Sequence, residues 1–129
     1  MGWLKELFTP KEKVIPVAIT DANFEQEVLR SELPVLMDVW SDGCVPCKQL
    51  EPIILNLAQR YKGRVKVAEA HPSRAPQILG RLGIRGTPTV IYFAGGREVE
   101  RVVGFRGSLY HTDFIDNELL TDAAQPAQA

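Results

Sequence analysis

The stretch VLMDVWSDGCVPCK, Val35–Lys48, joins an apolar run to the start of an amphipathic helix and puts two cysteines at the junction. With Pro34 in front, the run to Trp40 reads PVLMDVW, the pattern of a central strand buried on both faces. Beyond Cys47, Leu50, Ile53, Ile54, Leu57, Ala58 and Tyr61 recur at helical spacing to about Lys62. Pro52 is expected to kink that helix without stopping it, and Gly63 to end it. Cys44 then stands just before the first turn, where unpaired backbone N–H groups and the helix dipole stabilise a thiolate. Pro46 suits the first turn because its missing N–H is not needed there and its φ is already set. Cys47, one turn inward on the same side, is placed to attack a mixed disulfide formed at Cys44. Attack, mixed disulfide and resolution are the steps of thiol–disulfide exchange.

Upstream, Val14–Ile19 is a strand candidate weakened by Pro16, and Thr20 and Asp21 are N-cap residues for a helix to about Glu32. Phe24 and Val28 share one face of that helix. Downstream come a strand at Val65–Ala70, a short helix at Ala75–Leu82, and strands Thr89–Phe93 and Glu98–Gly104 flanking the hairpin signal Gly95-Gly96. Ser108 is expected to cap a last helix reaching about Leu120. The order β-α-β-α-β-α-β-β-α predicts an α/β fold: one mixed sheet with helices on both faces. That single domain spans residues 14–120, after an N-terminal extension (1–13) and before a disordered Ala/Gln/Pro-rich tail (121–129). The amphipathic segment Trp3–Phe8 is expected to pack on the domain or fray, in preference to touching a partner or membrane.

Fifteen basic residues against 16 acidic ones leave a net charge of −1, which gives no nucleic-acid footprint. The basic residues between Arg60 and Arg85 are interleaved with Gly, Pro and apolar positions, as on a solvated face. No apolar run approaches the roughly 18 residues of a membrane span. Lys5, Glu6 and Pro10 break up the N-terminal apolar residues, so no secretory signal is read and the cytoplasm is the expected compartment. The two cysteines are too close in sequence to staple a fold. Zinc remains an alternative, since His71 and His111 would complete four ligands, but no second paired ligand set exists. An inert pair of small side chains is the other alternative.

Val35–Lys48 resembles the active-site segment of thioredoxins, GIRGTPT at Gly83–Thr89 resembles their cis-proline loop, and Phe93–Val103 resembles their terminal hairpin. The resemblance covers about Thr20 to Glu118. It implies that Cys44 is the exposed nucleophile and Cys47 the resolving thiol, with no bound cofactor or metal. It further implies a cis bond at Thr87–Pro88, with the Thr87 backbone receiving the partner's chain. Gly86 and Gly104 would keep the docking surface flat, or serve only as turn residues. Asp38 corresponds to an acid beneath the disulfide that relays protons for Cys47; the plainer reading is that it closes the strand end by a backbone hydrogen bond. Trp40 matches a tryptophan packed near the site, and fits an ordinary core aromatic equally well.

Departures from the thioredoxin pattern cluster around the cysteines. Gly43 stands where a tryptophan is usual, Val45 where glycine is usual, and Thr87 where isoleucine is usual. Glu69 occupies the place of a lysine near the buried acid, so two carboxylates would titrate as a pair unless Lys66 or Arg64 neutralises one. The resemblance implies a monomeric disulfide reductase acting on disulfide-containing proteins and recharged by a thioredoxin reductase-type electron donor. A dithiol oxidant or isomerase of the same fold, and a partner-binding module that uses only the groove, are the competing expectations.

Overall fold

The computed structural model describes residues 13–123; of the expected extension 1–13 all but Lys13 lies outside the described residues, and of the expected disordered tail 121–129 the first three residues continue the last helix while the rest lie outside. Five strands form one sheet in the order β1-β3-β2-β4-β5. At its centre is β2, Val35–Val39, buried at every position. It pairs in parallel with β3, Lys66–Ala70, and antiparallel with β4, Thr89–Ala94. The edges are β1, Val17–Ile19, parallel to β3, and β5, Arg97–Val103, antiparallel to β4. β1 is three residues shorter at its start than expected from its β-branched residues. It begins immediately after Pro16, which has no N–H to give to the ladder.

Side chains on β2 alternate across the sheet. Val35, Met37 and Val39 enter a core with Phe24, Val28, Ile78, Leu79 and Ile91. Leu36 enters the opposite core with Leu50, Ile54 and Leu57. Those last three lie on α2, Val45–Arg60, which runs through Pro52 without stopping. The Tyr61 hydroxyl donates to Asp116 Oδ1 at 2.8 Å and ties the end of α2 to the C-terminal helix. That helix, α4, covers Ser108–Phe114 and continues through a wider π-type turn, Ile115–Leu119, to Leu120–Ala123. His111 on α4 is fully buried, 2.6 Å from the Tyr92 hydroxyl through Nδ1. Burial pulls its imidazole down to about pKa 4.

The helix ends differ from expectation in three places. The first helix, α1, spans only Glu25–Leu29, with a π-type bond from Arg30 N to Glu25 O at 2.9 Å. Thr20 does bond the chain ahead of it: its Oγ1 accepts from the Ala22 and Asn23 amides at 3.2 and 3.1 Å. Asp21 caps another helix altogether. α3, Pro76–Arg81, begins after Ala75, which has no side-chain acceptor. Asp21 carboxylate oxygens accept from the Ile78 and Gln77 amides instead, at 2.9 and 3.3 Å. At α4 the cap position falls on Gly107, in extended conformation, and Ser108 is already helical.

The β4–β5 hairpin turns on Gly95 and Gly96, whose φ values of +60° and +79° suit a two-residue turn matched to strand twist. A Cβ on Gly95 would meet nothing within 4 Å, whereas one on Gly96 would lie 2.9 Å from the Leu29 carbonyl oxygen. Gly95→Ala is therefore expected to cost about 1 kcal/mol from backbone conformation alone. Gly96→Ala should cost about 2 kcal/mol or more, since backbone must shift as well. Denaturant unfolding of the two variants checks the order; equal losses would deny the contact with α1.

Candidate active site

The loop from β2 to α2 and the loop before β4 meet at the disulfide. Cys44 and Cys47 are bonded to each other, with Cα atoms 5.2 Å apart. Cys44 is the N-cap of α2, extended at φ −92° and ψ 105°, and its Sγ accepts from the Cys47 amide at 3.2 Å. A sulfur in that position faces the unpaired N–H groups of the first turn, which favour negative charge on it. Cys44 is half-buried, Cys47 is buried, and Val45 between them is 63% exposed. Pro46 occupies the first turn as expected.

Across from the disulfide, the Thr87–Pro88 bond is cis and the Thr87 carbonyl oxygen lies 3.5 Å from Cys44 Sγ. The Gly104 amide donates to the Pro88 carbonyl at 2.8 Å, so the start of β4 and the end of β5 hold this loop together. Gly104 adopts φ +90° there. The Thr87 and Ser41 hydroxyls share a 2.6 Å hydrogen bond that clamps the loop to the β2–α2 segment. Gly43, at φ +70°, carries no side chain over the disulfide, and nothing lies within 4 Å of where one would begin.

Asp38 lies on the same face of β2 as Leu36, toward α2, and so beneath this junction. It is 7% exposed, and its Oδ1 has no hydrogen-bond partner among the described residues. Asp38, Cys47, Lys48, Glu51, Trp40 and Glu69 line one cleft of about 570 Å³. Burial raises the Asp38 carboxyl from 3.8 to about 7, and the charges of Glu69 and Glu51 add to the rise.

Glu69 is the register partner of Asp38 on β3. Neither expected cation reaches it. Lys66, an odd number of positions away on the same strand, faces elsewhere and pairs with Glu27 at 3.0 Å. Arg64, ahead of the strand, lies over the Tyr61 ring. Glu69 is held instead by Arg74, at 3.1 and 3.2 Å, and by the Trp40 indole N–H at 2.8 Å. Trp40 is thus half-buried at the cleft, and its ring meets His71 edge-on at 4.5 Å. His71 and His111 do not join the cysteines: His71 Nε2 lies 3.2 Å from Asp42, and His111 is in the core beside Tyr92. Among the described residues, no three His, Cys, Asp or Glu side chains gather as metal ligands.

Ser41, Glu51 and Arg74 were not foreseen as site residues. Glu51 stands four positions beyond Cys47 on the same helix, so helical spacing could have found it. Ser41 and Arg74 lie in loops, where no periodicity points.

A sheet of this order, with a Cys-x-x-Cys disulfide at a helix N-terminus opposite a cis-proline, defines a thiol–disulfide exchange protein. Comparison with known proteins agrees. The Thioredoxin family model matches residues 15–116. Thioredoxin 1 of Nostoc sp. is 43% identical over 86 residues, covering 67% of this chain and 80% of that protein. Thioredoxins of Allochromatium vinosum and Rickettsia felis are 41% and 38% identical over 101 residues, each covering 78% of this chain and 94% and 96% of their own. The chain belongs to the thioredoxin family and is a protein-disulfide oxidoreductase. No helix among the described residues is long and apolar enough to cross a membrane.

The raised Asp38 carboxyl has a consequence for stability. Unfolded chain loses this proton near pH 3.8 and folded protein near 7, so between those values the folded state binds more protons. Stability therefore falls as pH rises through that window, and the penalty is full above about 7, where it amounts to about 4 kcal/mol. Asp38→Asn should remove it, raising the Tm of the oxidised protein much more at pH 8 than at pH 4. A Tm gain that is the same at both pH values would contradict the shift.

Proposed function

We propose that the protein is a thioredoxin-type disulfide reductase that acts on disulfide-containing proteins and is recharged by a thioredoxin reductase-type electron donor. The supporting observation is the asymmetry of the pair: Cys44 at the helix mouth facing outward, Cys47 buried above an unpartnered acid. In the reduced protein the Cys44 thiolate attacks one sulfur of a substrate disulfide. A new S–S bond forms to Cys44, the substrate's bond breaks, and the departing sulfur takes a proton. Cys47 then gives its proton to the Asp38 carboxylate through water and attacks Cys44 Sγ. The mixed disulfide breaks, and the second substrate sulfur leaves and is protonated. The cysteine pair has lost two electrons; the substrate has gained two electrons and two protons. A reductase partner restores both to the pair, so no bound cofactor is required.

The substrate chain lies along Thr87 and Pro88, with the Thr87 carbonyl receiving one of its backbone N–H groups. Trp40, Gly43, Val45, Pro46 and Gly104 complete the contact surface. The same reading makes the protein a cytoplasmic monomer.

A second reading, dithiol oxidant or isomerase, has its own support in the open space at Gly43 and the exposed Val45 side chain. Titration of the pair against a glutathione redox buffer separates the two. A midpoint near the roughly −270 mV that characterises thioredoxins as a family is expected for a reductase. One about 60 mV or more higher, equivalent to about 3 kcal/mol, would assign an oxidant or isomerase. In the same assays Cys44→Ser should abolish reduction of protein disulfides, and Cys47→Ser should accumulate the mixed disulfide. A Cys44→Ser protein that still performed its biological role without reducing disulfides would instead leave a partner-binding module.

A further inference from the structure

Parallel pairing of β2 with β3 sets Asp38 directly beside Glu69, and strand alternation turns both toward the α2 side of the sheet. Two like charges in that arrangement, with only half-wet surroundings, repel strongly. The Glu69 carboxylate is nevertheless fully occupied. Its Oε1 accepts from the Trp40 indole at 2.8 Å and from Arg74 at 3.2 Å, and its Oε2 accepts from Arg74 at 3.1 Å. Arg74 is itself fixed at the backbone. Its amide donates to the His71 carbonyl at 3.0 Å, and its carbonyl accepts from the Asp21 amide at 3.3 Å. The Trp40 ring also packs against the His71 ring, with centroids 4.5 Å apart in an edge arrangement.

We propose that Arg74 is a positioning residue for the redox reaction: it holds Glu69 against Trp40, offsets the negative charge beside Asp38, and so keeps proton transfer between Asp38 and Cys47 workable near neutral pH. This rests on the reading of Asp38 as the acid/base partner of Cys47. Cys47 must lose a proton as it attacks Cys44, and Asp38 can accept it only while ionised. The charged groups that line the cleft with Asp38 are Glu69 from β3, Glu51 and Lys48 from α2, and Asp42 from the loop between β2 and α2. His71 stands behind Trp40, and the β4 register partner of Asp38 is the uncharged Val90. The negative groups outnumber Lys48, and a cation bound to Glu69 lessens the repulsion that opposes an ionised Asp38. The Arg74 side chain is 47% exposed, so salt screens part of its effect.

The test uses the full chain and two readouts: the 13C titration of the Asp38 carboxyl in the reduced protein, and the pH profile of protein-disulfide reduction. At low salt, Arg74→Gln should move the Asp38 midpoint alkaline by about half a pH unit, with about a threefold loss of rate on the acid side of the profile. Glu69→Gln should move it the other way. Both Arg74 contacts to Glu69 come from one nitrogen, so Arg74→Lys should keep the Asp38 midpoint close to that of the unaltered protein. An Asp38 midpoint unchanged in Arg74→Gln overturns the proposal. If Asp38→Asn flattens the pH profile while Arg74→Gln leaves it in place, the role of Arg74 alone fails. If Asp38→Asn leaves the profile unchanged, the acid/base reading of Asp38 fails, and the reaction role of Arg74 with it.

Discussion

Everything near the disulfide is positioned by the burial of β2 between a parallel and an antiparallel neighbour. A strand hydrogen-bonded on both edges and covered on both faces cannot slip by one residue without exposing its apolar side chains. That fixed register puts Leu36 and Asp38 on the α2 side, and Met37 and Val39 on the other. It also sends the chain out of the sheet directly into the loop that carries Cys44. The acid under the site and the sulfur at its mouth are thus located by one packing decision.

The arrangement has a thermodynamic cost concentrated at a single carboxyl. Asp38 is buried without a partner for Oδ1, on a strand whose other positions are all apolar. Such an unmet group is destabilising in any state in which it is charged. The surrounding cores compensate: on the α2 side Leu50, Ile54 and Leu57 pack against Leu36, Val67 and Tyr92, all nearly inaccessible to solvent. Stability resides in these apolar layers, while the buried Asp38 carboxyl lies beneath the disulfide.

Much of this was legible in the residue pattern. β2 announced itself as an apolar run, α2 by its 3.6-residue period, and Asp38 by being a carboxylate where an apolar residue was due. The cis bond before Pro88 followed only from family likeness, because local sequence favours trans. What escaped was non-local. Nothing in the residues around Glu69 points to Arg74, because the pairing depends on how the loop after β3 folds back toward the strand it has just left. Asp21 looked like a cap for the helix that follows it and caps α3 instead, across 57 positions of chain. Ser108 looked like a cap because serine favours that role, yet Gly107 was already extended in front of it.

That long-range cap gives β1 a part beyond its three paired residues. β1 touches the sheet only at its edge, and its ladder alone would leave it easily detached. Asp21, two residues after it, supplies the acceptors that complete the first turn of α3, while the Asp21 amide bonds the Arg74 carbonyl. The N-terminal strand and the segment around α3 are therefore joined as one cooperative unit, closed only when distant parts of the chain have met. An early strand that could have been dispensable trim becomes a keystone for the side of the molecule that also anchors Arg74.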